Sequence, residues 1–145
     1  TGAGGLTFSG GDTNIGGTYS LTGVITASGG TGTILAGTET ATSIIISGGT
    51  LHLDTGTLSS PSLDLSSGAL GGSGTVIVDA GTWSGGTMSR NGTTTITTSL
   101  TLSGAGGKNL GSGGNTGRSL ISNGVATLSG SNLQIGDSGG VNPGA

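Results

Sequence analysis

The chain has 145 residues, of which 36 are glycine, 25 threonine and 21 serine, so three small residue types fill more than half of it. Charged residues make up 6% and the formal net charge is −3. Three Lys or Arg cannot line a basic track, so nucleic acid is not an expected partner. No apolar run is long enough for a membrane-spanning helix, and the glycines lack the strict every-third spacing of collagen. Cysteine is absent, which removes disulfides and thiolate metal sites. The first residue is Thr1 and no signal peptide is visible, so a processed product or an excerpt of a longer chain is expected.

Glycine and serine at this level first suggest a disordered linker. The apolar residues argue otherwise. They reach 30%, are mostly Leu, Ile and Val, and occur in short alternating clusters. Phe8, Tyr19 and Trp83 are the only aromatics, so the core is thin and aliphatic.

In chain order, Thr1-Gly2-Ala3-Gly4-Gly5 opens on glycine, and Thr38-x-Thr40-x-Thr42 puts hydroxyls on one strand face. Ile44-Ile45-Ile46 reads as a strand, followed by Leu51-His52-Leu53-Asp54, Leu63-Asp64-Leu65-Ser66 and Val76-Ile77-Val78-Asp79. Thr93-x-Thr95-x-Thr97 repeats the hydroxyl pattern, and Leu100-Thr101-Leu102-Ser103 and Leu133-Gln134-Ile135 continue the series. Period-two alternation sends Leu51, Leu53, Leu63, Leu65, Val76, Val78, Leu100 and Leu102 inward, and Thr, Ser, Asp and His outward. No stretch carries a 3.6-residue period, and glycine and β-branched residues disfavour helix throughout.

Between strands a second element recurs: Gly49-Thr50-Leu51, Gly56-Thr57-Leu58, Gly68-Ala69-Leu70, Gly81-Thr82-Trp83 and Gly86-Thr87-Met88. Glycine turns the chain there, and the large residue re-enters the core. The units recur at irregular intervals of roughly 12 to 20 residues, which fits the short strands and tight corners of a solenoid. The expected fold is all-β: one parallel β-solenoid domain over residues 1–145, with about seven coils at about 4.8 Å each. Its clearest repeats span residues 44–140, and residues 1–20 and 141–145 read as end or linker segments.

The stretch from Ser62-Leu63-Asp64-Leu65 through Gly74-Thr75-Val76 resembles the repeats of large bacterial surface and secreted proteins. So do Gly81-Thr82-Trp83-Ser84-Gly85-Gly86-Thr87-Met88, Asn91-Gly92-Thr93-Thr94-Thr95-Ile96 and Leu100-Thr101-Leu102-Ser103-Gly104-Ala105-Gly106-Gly107-Lys108. These look like the right-handed parallel β-helix repeats of filamentous-haemagglutinin-like and autotransporter-like proteins. The resemblance implies an elongated extracellular scaffold, often adhesive, with no catalytic residues to carry over.

Site chemistry is sparse. His52 is the only histidine, and one histidine cannot hold a metal without partners. Asp54, Asp64 and Asp79 each fall near a strand, so a stacked acidic ladder for Ca²⁺ or for hydrolysis is one reading. Arg90, Lys108 and Arg118 are too few and too scattered to support a polysaccharide-active site. The remaining acids, Asp12, Glu39 and Asp137, read as solubilising groups. Gly71-Gly72-Ser73-Gly74-Thr75 begins a calcium-roll motif but continues with Val76, and Gly106-Gly107-Lys108 lacks the upstream glycine of a phosphate loop. Asn91-Gly92-Thr93 fits a glycosylation sequon. The two Thr-x-Thr strands raise ice binding as a further alternative. No catalytic, cofactor or metal site is expected. Trp83, Tyr19 and His52 are the candidate surface contacts.

A solenoid ends in unpaired strand edges, and neither terminus resembles a capping helix. The expected function is therefore structural. The chain reads as a non-enzymatic, stiff module of a secreted surface fibre or adhesin. It would stack head to tail on copies of itself or on flanking repeats of its own chain. The alternative is a module binding carbohydrate or a host surface.

Overall fold

The computed structural model describes residues 4–17, 19–35, 37–111 and 117–136. Alternation of aliphatic and small polar residues produces strand after strand, and no described residue is helical. The strands are β1 (Leu6–Ile15), β2 (Val24–Ile34), β3 (Thr38–Thr40), β4 (Ser43–Leu53), β5 (Thr57–Gly71) and β6 (Thr75–Trp83). β7 (Gly86–Met88), β8 (Thr93–Leu102), β9 (Lys108–Leu110), β10 (Ser119–Ser122), β11 (Val125–Leu128) and β12 (Leu133–Ile135) follow. All twelve belong to one sheet, and the order β1-β2-β4-β5-β6-β8-β10 follows the chain. Each strand lies parallel to the strand one turn away, as in Leu6↔Ile25, Ile25↔Ile44 and Ile44↔Leu63. This is a parallel β-solenoid.

The coil has three sides. One inward column, on the first side, runs Phe8, Ala27, Ile46, Leu65, Trp83, Leu102 and Leu128. The second side stacks Gly32, Leu51, Leu70, Met88, Leu110 and Ile135. The third stacks Glu39, Leu58, Val76, Thr94 and Leu120. All eight residues expected to point inward are buried. Full burial of a Leu, Ile or Val side chain contributes about 1.5–3 kcal/mol, so these columns supply the main driving force.

Volume is balanced along the columns. Trp83 shares its strand with Gly81, where a Cβ would come within 3.0 Å of Ile96 and 3.3 Å of Leu100. Between the first and second sides each turn bends on a serine and small residues: Ser9-Gly10-Gly11, Ser28-Gly29-Gly30, Ser47-Gly48-Gly49, Ser66-Ser67-Gly68 and Ser84-Gly85-Gly86. Gly30 and Gly68 need their lack of a side chain. Each has a positive φ, 66° and 79°, and a Cβ there would run into the carbonyl of Gly11 or Gly49 one turn earlier.

The chain makes about five turns, fewer than the seven expected. Strand lies on all three sides only from β3 onward, because residues 19–23 form no strand on the third side. The last turns also lengthen. Paired residues lie one turn apart as Leu6↔Ile25 and Thr75↔Thr93 early on, but as Thr93↔Ser119 at the end. The spacing is otherwise steadier than the irregular intervals expected. Leu51-His52-Leu53, Leu63-Asp64-Leu65 and Val76-Ile77-Val78 lie on three different sides, so their intervals are fractions of one regular turn. Of the presumed end segments, residues 6–15 form β1, and 141–145 lie outside the described residues.

Candidate functional site: the two ends and one charged corner

At the N-terminal end the core is closed from within. Phe8 is 4% exposed, and its ring fills the space over Gly32, where any Cβ would strike it. Tyr19 and Leu21 pack on the core from the segment ahead of β2. The buried carboxylate of Glu39 holds that segment by accepting a hydrogen bond from the Leu21 backbone N–H at 2.8 Å. The Tyr19 hydroxyl is buried without a partner among the described residues. Burial, and then the negative charge of Glu39, push its pKa above the usual tyrosine value.

The C-terminal end is built differently. Leu128 and Ile135 continue the inward columns of Leu102 and Leu110, yet they are 58% and 73% exposed. Leu120 and Leu133 beside them are only partly buried. Among the described residues β10, β11 and β12 pair on one side only, with β8 and β9, so a row of backbone N–H and C=O groups is left open. Val125 and Ile121 add outward apolar surface to the same end.

Beneath that open face lie two buried cations. Lys108 Nζ donates to Gly106 O at 3.1 Å and to Ser131 Oγ at 3.2 Å, and sits 3.5 Å from Gly104 O. Arg118 Nε donates to Thr94 Oγ1 at 2.7 Å, Nη2 to Thr93 O at 3.1 Å and Nη1 to Gly72 O at 3.2 Å. Burial lowers the Arg118 pKa to about 10. The two cations thus add donors to backbone and hydroxyl oxygens inside the coil, some of which, such as Gly72 O and Gly104 O, also accept a backbone N–H.

The candidate surface contacts do not come together. Trp83 is fully buried in the first-side column, so it meets no surface ligand in this fold. Its indole N–H has no partner among the described residues. Tyr19 belongs to the N-terminal closure. His52 is half-buried on the outer face of the second side, paired with Gly71 one turn on. A Cβ on Gly71 would lie 2.7 Å from His52 Cδ2 and 3.5 Å from Arg90 Cδ, so the imidazole fills the space over Gly71 and the guanidinium stem runs beside it. Arg90 Nη1 lies 3.8 Å from Asp54 Oδ1, beyond hydrogen-bond length. The His52 pKa is lowered by burial first, then by the charge of Arg90, with Asp54 opposing.

The acidic ladder does not form. Asp54 sits at a corner beside Arg90, Asp64 on the outer face of the first side, and Asp79 at another corner, accepting a bond from Thr97 Oγ1 at 2.9 Å. No three metal-ligating side chains cluster among the described residues. Thr38 and Thr40 do stack outward above Thr57 and Ser59, but Ile77 interrupts the hydroxyl rank before Thr95.

Sequence reasoning missed the burial of Lys108 and Arg118 and the meeting of His52 with Arg90. Counting the Ser-Gly corners as the period would have stacked His52 on Gly71 and brought Arg90 to the same edge. Compared with protein families, curated proteins and solved structures, the chain shows no match.

Proposed function

We propose that this chain is a stiff structural module of a secreted bacterial surface fibre or adhesin, and that it works by stacking end to end rather than by catalysis. The observation behind this reading is the C-terminal end, where Leu128 and Ile135 stand exposed in core columns and, among the described residues, the outer strand edges are unpaired. A parallel strand laid on that edge gains backbone hydrogen bonds and covers the apolar ring. The β1 edge of a second copy is the matching surface, being parallel, short of charge and already closed behind by Phe8. Its contact is heterologous and does not close on itself, so repetition gives a fibre. The likeness to filamentous-haemagglutinin-like and autotransporter-like repeats supports the extracellular setting.

Sedimentation velocity over a concentration series tests the reading. The unmodified chain should form species larger than one chain that grow with concentration. Leu128→Lys with Ile135→Lys should return it to a single small species at unchanged melting temperature. Association that survives both charges would refute stacking through this end.

A further inference from the structure

The corner between the second and third sides stands out in a chain so poor in charge. Three Lys or Arg and one His are present in all, yet Arg90, the buried Arg118 and His52 converge there, with Asp54. We propose that His52, Asp54, Gly71 and Arg90 form a binding site for an anionic saccharide, one carrying a carboxylate or sulfate group. This proposal is independent of the end-to-end reading.

The first argument is conformational. Arg90 is the one non-glycine residue with positive φ among the described residues, at 64°. The position one turn before it in the stack is Gly72, at φ 97°, which takes this conformation without a Cβ clash. An arginine there carries a local strain that glycine would not, and strained residues of this kind concentrate at ligand sites. Among the described residues no close ion pair of its side chain offsets it. The Asp54 contact is loose at 3.8 Å, and the Arg90 side chain is 53% exposed.

The second argument is the chemistry of the corner. Gly71 carries no side chain, so the half-exposed His52 imidazole packs down over it, with the Arg90 stem alongside. A sugar ring can stack on the open side of such a planar ring. The guanidinium fork matches the two oxygens of a carboxylate or sulfate, while Asp54 is placed to accept hydroxyl protons. Arg118 donates to Gly72 O, next in the chain to Gly71, adding fixed positive charge behind the corner. The whole chain is net negative at −3, so capture of an anion here is local and not a general attraction.

The test titrates the full chain, followed by the His52 ring proton signals in NMR, with three probes: oligogalacturonate, a sulfated oligosaccharide and neutral dextran. A saturable shift with either anionic probe and none with dextran is expected, and which probe acts identifies the anion. Arg90→Gly should weaken that binding roughly tenfold or more while melting no earlier than the unmodified chain. If Arg90→Gly melts earlier, Arg90→Asn, a residue type that tolerates this conformation, carries the same binding test. No saturable shift with either anionic probe, or undiminished binding by the arginine variant, overturns the proposal.

Discussion

The two ends of the coil solve one problem by opposite means. At the N-terminal end the chain folds an aromatic ring inward, so that Phe8 seats over Gly32, and draws Tyr19 and Leu21 across the core under the hold of Glu39. At the C-terminal end the last turns widen, two cations take the inner positions, and the aliphatic columns run out uncovered at Leu128 and Ile135. The difference teaches that the inner columns do not by themselves terminate a solenoid. Covering the core needs a side chain that turns back over it, and among the described residues the N-terminal end has one while its β1 backbone edge stays open.

The comparison breaks most visibly at Phe8. Phe8→Ala removes the plug over Gly32 and should cost about 3–5 kcal/mol, read as a fall in the denaturant midpoint. Arg118→Ala tests the other construction. It removes the donor to Thr94 Oγ1 and to Thr93 O, while Gly72 O keeps the Gly92 N–H, and should destabilise by about 1–3 kcal/mol by the same measurement. If Arg118→Ala were neutral, the cations would be passengers of the last turns and not their anchors.

Smaller effects sharpen the picture. Tyr19→Phe deletes a buried hydroxyl that has no partner, and thermal melting should show no loss or a gain of up to about 1 kcal/mol. Leu128→Ala should change the stability of a dispersed chain by less than about 0.5 kcal/mol, because the side chain is exposed, in contrast to Leu102→Ala in the same column one turn earlier.

The weakest effect is the pH response of His52. Its folded pKa lies below its unfolded value of about 6.5, so the unfolded chain takes up the proton first. Stability should therefore fall slightly as pH drops below that value, level off once the folded histidine also protonates, and lose this step in His52→Gln. Melting temperatures across the pH series check it.

Much of this architecture was legible from the residues. Leu63, Leu65, Val76, Val78, Leu100 and Leu102 declare their inward side by period-two alternation alone, because each strand is short and one-sided. The turn length was hidden, for a physical reason. Gly32, Glu39, Gly81 and Thr94 occupy inward positions, so the apolar signal drops out where volume or hydrogen bonding is balanced by a neighbour. Trp83 looks like a surface contact until the coiling sets it in the inward column between Leu65 and Leu102. The burial of Arg118 was out of reach, since one of its acceptors, Gly72 O, lies 46 residues away and is set beside it only by the coiling.

The central claim is that the open C-terminal face stacks on the β1 edge of another copy. Electron microscopy of the untagged chain near neutral pH tests it most directly. The account predicts long unbranched fibres whose axial repeat equals one chain's stack of turns, at about 4.8 Å per turn, and which vanish in the Leu128→Lys, Ile135→Lys variant. Dispersed particles one chain in size, at concentrations where the chain remains folded, would contradict it.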